Sequence, residues 1–244
     1  MSTGFLSYAD ATYRPLAQVL LDSMQVFSEH PIELMRWEDL RSSGWEKLNC
    51  FSKFRAYLRS PFDHTVWVDA DCVANRHVDA LIDFARRYDA PVPLLCYHGE
   101  PQVLLEERQY LHVKTRTMPY GHACVVVFNR KCSDFFKECL DTLPTDPEEL
   151  EESAPPLNDE SVTNVMLWRY GSRHQLNCVA SPRWLFPYYT GRGKVPQGGR
   201  KWLIEGRASH HFFHAEKDPV CAREMLSKLL DMSFPPALFC TLHL

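Results

Sequence analysis

The chain has no Cys-x-x-Cys pair among its 9 cysteines, which stand singly at positions 50, 72, 96, 124, 132, 139, 178, 221 and 240. That excludes a zinc ribbon and a thioredoxin-like redox site; in a reducing compartment such residues serve as small buried hydrophobes. Positive charge is not in excess either, because 27 Lys and Arg face 31 Asp and Glu, for a formal net charge of -4. A general binder of nucleic-acid backbones is therefore not expected. No run is long and uncharged enough to span a bilayer, and Met1 to Tyr13 carries Asp10 while lacking the basic and apolar segments of a secretory leader. The expectation is a soluble, cytoplasmic protein, with peripheral attachment to a membrane left open. The chain has neither an internal repeat nor a dividing linker.

What is present is the composition of a globular protein: 244 residues, 45% hydrophobic and 12% aromatic, enough for one large α/β domain over residues 1–244. The pattern starts strand, helix, strand. Gly4 to Ala9 reads as the first strand, Leu16, Val19, Leu20, Met24 and Phe27 recur at helical spacing, and Ile32 to Met35 is extended again. Phe51 to Leu58 is helical and ends before Ser60-Pro61, because the residue before proline is pushed toward extended geometry. Thr65 to Val68 is a β-branched and aromatic strand, followed by a helix over about Val78 to Tyr88. Val92 to Cys96 is a strand only if Pro93 lies at an edge or bulge. Ala123 to Phe128 is the plainest buried strand, with a helix over Lys131 to Leu140 after it.

Asp141 to Pro156, with six acidic residues and four prolines, reads as a solvated loop. Asp159 to Tyr170 is helical, Pro182 to Lys201 is a long glycine- and proline-rich loop, His210 to Phe213 is a late strand, and Val220 to Leu230 is a last helix. Strands alternating with helices predict a mostly parallel central sheet flanked by helices.

The chemistry concentrates where Thr65-Val66-Trp67-Val68 runs into Asp69-Ala70-Asp71. A strand ending in Asp-x-Asp places two carboxylates at the edge of a sheet where open α/β folds bind ligands, and both can reach one hard cation such as Mg²⁺ or Mn²⁺. Alone, the pair reads equally as a polar strand end with one carboxylate capping the next segment. A haloacid-dehalogenase-like phosphatase, with Asp69 as nucleophile, also fits.

The string from Phe51 to Leu58, then Pro61 to Val73 with its Asp69-Ala70-Asp71, resembles the GT-A fold nucleotide-sugar glycosyltransferases. The closest resemblance is to their glycogenin-like and lipopolysaccharide-galactosyltransferase-like retaining group. Further segments follow in the family's order: Tyr8 to Ser23, Gly121 to Asn129, Asp159-Glu160 with Asn164, and His211 to Lys217. The departures are an altered Asn-Ser-Gly introduction before Ala123, Glu160 in place of the family Gln, and His214 in place of a Gly.

The resemblance implies a single GT-A (Rossmann-like) domain that moves a sugar from a nucleotide-diphosphate donor, such as a UDP-sugar, to a carbohydrate or other hydroxyl acceptor with retention. It implies Mn²⁺ (or Mg²⁺) on Asp69, Asp71 and His211, with a shift to His214 left open. Tyr8, Asp10 and Tyr13 fall at the nucleoside pocket, and Lys217 at the diphosphate. Lys53 and Arg55 fall on the basic helix before the acidic strand. Asp159 and Glu160 are the catalytic candidates, Glu160 as nucleophile or sugar support and either one as a base if transfer is inverting.

The basic residues Arg192, Lys194, Arg200, Lys201 and Arg207 read as a closing flap or as a solvated loop, and the aromatics Trp184, Phe186, Tyr188, Tyr189 and Trp202 as an acceptor platform or as core. The competing functions are a nucleotidyltransferase or phosphatase using the same carboxylates, and a noncatalytic nucleotide-sugar binding module.

Overall fold

Alternation along one strand shows how the core is built. Val125 and Val127 are buried with Phe5, Val66, Val68, Leu20 and Ile82, whereas Val126 and Phe128 are buried with Leu6, Trp67, Phe54, Tyr57, Phe136 and Met166. Successive side chains of a strand point to opposite faces, so a sheet covered by helices on both sides requires this uninterrupted apolar run. Each large side chain buried in this way contributes about 1.5–3 kcal/mol relative to exposure.

The computed structural model describes residues 1–40, 49–75, 78–87, 94–96, 121–143, 159–170, 187–189, 212–215 and 217–231. In chain order the strands are β1 (Thr3–Ala9), β2 (Ile32–Arg36), β3 (His64–Val68), β4 (Cys72–Ala74), β5 (Leu94–Cys96), β6 (Gly121–Asn129), β7 (Pro187–Tyr189) and β8 (Phe212–His214). The helices are α1 (Arg14–Phe27), α2 (Trp37–Leu40), α3 (Ser52–Leu58), α4 (Ala80–Arg87), α5 (Ser133–Thr142), α6 (Asp159–Tyr170) and α7 (Pro219–Asp231). Among the described residues, no helix is long and apolar enough to cross a membrane.

The main sheet has the order β2-β1-β3-β6-β5. β1 pairs in parallel with β2 and β3, while β6 runs antiparallel to both β3 and β5. Four strands therefore share one direction and β6 opposes them, which qualifies the expectation of a mostly parallel sheet. The reversal brings the N-terminal end of β6, at Ala123, to the same edge as the C-terminal ends of β1 and β3. β5 takes the sheet edge, the position that the proline before it demanded.

A second sheet, β4-β8-β7, combines an antiparallel and a parallel ladder. β4 and β7 were not expected from the sequence, and β7 falls inside the segment read as an uninterrupted loop. Val73 and Phe213 of this sheet pack with Leu16 and Val19 of α1 and with Met225 and Leu229 of α7. The expected acidic loop beyond Leu143, the basic cluster 192–207, and residues 184, 186 and 202 of the aromatic group lie outside the described residues. Cys50, Cys72, Cys124, Cys132, Cys139 and Cys221 are free thiols, and of these all but Cys50 are buried.

Candidate active site

The C-terminal ends of β1 and β3, the starts of α3 and α6, and the segment after β8 surround a cleft of about 340 Å³. It is lined by Tyr8, Tyr13, Cys50, Lys53, Trp67, Asp69, Ala70, Asp71, Asp159 and Lys217. Seven of the sequence-predicted site residues thus meet in one cavity, although they span more than 200 positions of the chain.

The acidic pair sits in a fixed turn. The Asp69 N–H donates to Cys124 O at 2.9 Å, continuing the β3–β6 ladder, and the Cys72 N–H returns to Asp69 O at 3.1 Å. That reversal starts β4, whose ladder sets Cys72 opposite His214 and Ala74 opposite Phe212. One residue past the ladder, the Ala215 N–H donates to Asp71 O at 2.7 Å. Two segments about 140 residues apart in sequence are joined by this ladder, and it delivers Lys217 to the rim. His211 lies outside the described residues, and of His214 only the strand position is described.

At the cleft floor, Lys53 Nζ lies 2.9 Å from Asp69 Oδ1 and 2.6 Å from Asp159 Oδ2. It also donates to Ala123 O at 3.2 Å. Its side chain is only 7% exposed. Burial alone would depress the ammonium, but the Asp159 and Asp69 carboxylates outweigh it and hold Lys53 well above the ordinary lysine range. Asp159 is pushed up by its own burial, against the pull of Lys53. The next residue, Glu160, accepts the Ala123 N–H at Oε2, 2.9 Å away. Both backbone groups of Ala123 are therefore tied to this network. Glu160 is not among the cleft-lining residues, nor are Asp10 and Arg55. Asp10 accepts the Tyr13 N–H at 2.8 Å and so organises the entry to α1, while Arg55 reaches Leu40 O at 3.4 Å.

Tyr8 and Tyr13 also line the cleft. Tyr8 packs on Trp67 with ring centroids 5.4 Å apart, and burial raises its phenol well above the usual value. Lys217 Nζ stands 6.0 Å from the Tyr13 ring centroid. The neighbouring Tyr13 side chain raises Lys217 above the ordinary lysine range. Lys217 has φ of 66°, a left-handed conformation that disfavours a side chain.

Sequence reading did not single out three lining residues, Cys50, Trp67 and Ala70, the last of which stands between the two acids. Trp67 was assigned only to its strand, although its place two residues before Asp69 puts it on the same face of the chain. Cys50 carried no signal at all. Among the described residues, no three His, Cys, Asp or Glu side chains gather closely enough to hold a metal by themselves. The donor set nonetheless fits a hard cation: Asp69 and Asp71 offer carboxylate oxygens at one rim, and Mg²⁺-like ions use one or two carboxylates with water and substrate phosphate.

By sequence, the chain matches no protein-family pattern and no curated protein. By structure, it is similar to a glycosyltransferase involved in the glycosylation of the major capsid of PBCV-1, with a TM-score of 0.55 and 11% identity over 93% of this chain and 100% of that one. The bifunctional glycosyltransferase WbbM aligns with a TM-score of 0.54 and 13% identity over 93% of this chain, which spans 50% of that one. Mouse xyloside xylosyltransferase 1 aligns with a TM-score of 0.51 and 13% identity, covering 88% of this chain and 98% of that one. At these identities the likeness establishes architecture: the chain has a GT-A-like glycosyltransferase fold.

Proposed function

We propose that this protein is a metal-dependent glycosyltransferase that binds a nucleotide-diphosphate sugar in the cleft and transfers the sugar, with retention, to a hydroxyl acceptor. The observation that carries this reading is the meeting of Asp69, Asp71, Asp159 and Lys217 in one cleft at the carboxyl ends of the strands, where open α/β folds take their ligands.

In such a transfer, negative charge grows on the diphosphate oxygen as the anomeric bond breaks. Bound Mn²⁺ or Mg²⁺ supplies electrostatic neutralisation of that leaving group. Asp69 and Asp71 would hold the ion, with a histidine of the segment around β8, His211 or His214, as third ligand. Lys217 adds a second positive charge over the diphosphate once it leaves Tyr13, and Tyr8 and Tyr13 offer aromatic surface to the nucleoside. Asp159, kept in place by Lys53, is an acceptor for sugar hydroxyls at the cleft floor. Glu160 acts by fixing Ala123, and the acceptor hydroxyl is deprotonated by the departing phosphate. A panel of nucleotide sugars assayed with and without Mn²⁺, with the product anomer read by NMR, tests the reading. Turnover of one donor only with metal supports it, and phosphomonoester hydrolysis with no response to any donor overturns it.

A further inference from the structure

Asp69 is held by a residue that the reaction scheme above leaves without a task. The Trp67 indole N–H donates to Asp69 Oδ1 at 2.7 Å. The same oxygen faces Lys53 Nζ at 2.9 Å. Among the described residues, Oδ2 of Asp69 has no such partner, and the side chain remains 27% exposed in the cleft. Two strong donors on one oxygen fix the rotation of the carboxylate and direct coordination to the other oxygen.

The indole is itself immobilised. It is 1% exposed, its centroid lies 5.4 Å from that of Tyr8 and 5.2 Å from that of Tyr57, and Lys53 Nζ stands 5.4 Å from its ring. A buried indole needs a partner for its N–H, and here the partner is the first acid of the pair.

Resting on the proposed metal dependence, we infer that Trp67 is a positioning residue: its N–H locks Asp69 so that the carboxylate meets a divalent cation through Oδ2 alone. One-oxygen coordination suits the near-octahedral demand of Mg²⁺-like ions, and partners that orient a metal ligand are worth about 10- to 100-fold in metal affinity.

The test is binding of Mn²⁺ alone to the full chain, read from free Mn²⁺ by electron paramagnetic resonance. Trp67→Phe keeps an aromatic ring and removes the donor. Site-specific replacement of Trp67 by benzothienylalanine keeps the bicyclic shape and removes the N–H, and it decides the matter if the Phe variant does not fold. Both variants are expected to bind Mn²⁺ about 10- to 100-fold more weakly, with the effect absent in an Asp69→Ala background. Unchanged Mn²⁺ affinity in a folded variant overturns the role of Trp67 and leaves the metal reading intact. Absence of Mn²⁺ binding by the unmodified protein overturns the metal reading itself, and the inference with it.

Discussion

Lys53 Nζ and Asp159 Oδ2 meet at 2.6 Å across the floor of the cleft, joining the helix before the acidic strand to the helix that begins 106 residues later. A buried charge left alone is costly, so the two residues depend on each other.

Lys53→Met is expected to destabilise the fold by about 3–5 kcal/mol, because it leaves the Asp159 carboxylate uncompensated. The Lys53→Met/Asp159→Asn pair should recover part of that loss in urea unfolding. Since the folded-state pKa of Lys53 is raised, its stabilisation is complete below the ordinary lysine value and is lost only as pH rises through the higher folded value. In Lys53→Met no ammonium opposes the burial that raises Asp159, so the penalty should grow as pH rises above the ordinary carboxylate range.

Glu160 separates two mechanisms. Gln at this position can still accept the Ala123 N–H, so Glu160→Gln should retain most of the transfer rate. Glu160→Ala leaves that N–H without this acceptor and should cost about 1–3 kcal/mol of stability. Loss of transfer in a stable Glu160→Gln protein would restore Glu160 as a nucleophile or base.

Cys50 lines the cleft, yet burial, with the Asp159 charge adding to it, pushes its thiol up to about 12. At about pH 8 its thiolate fraction is roughly 10³-fold below that of an ordinary cysteine. Mass-spectrometric mapping after brief iodoacetamide treatment should find Cys50 unmodified in the native protein and labelled after unfolding. Rapid native labelling would contradict the placement.

Periodicity made most of the scaffold legible. The apolar run Cys124 to Phe128, the spacing of Leu16, Val19, Leu20 and Met24, and the helix Asp159 to Tyr170 all follow from local pattern. The direction of β6 was not legible, because antiparallel and parallel pairing leave the same apolar run when both faces are covered. β4 is three residues long and follows a turn, too short for any period to register. At the site, the resemblance pointed to Asp69, Asp71, Asp159 and Lys217, but not to how they are held. The sequence left Lys53 and Arg55 as candidates on one helix, whereas α3 buries Lys53 at the cleft floor and sends Arg55 toward Leu40. Such a choice depends on which helix face meets the sheet, a tertiary fact. Glu160 resembled a catalytic replacement for Gln; its hydrogen bond to Ala123 depends on β6 beginning at that edge.

The most direct measurement of the central claim is thermal stabilisation by nucleotide sugars with Mn²⁺, in the unmodified protein and in Asp71→Ala. Binding at about 100 times the dissociation constant contributes about 2.7 kcal/mol, which for a chain of this size is a rise in Tm of roughly 5–10 °C. The account predicts that rise for at least one donor, its loss in chelator, and its loss in Asp71→Ala. A rise that persists in both chelator and Asp71→Ala, or none with any donor, would contradict it.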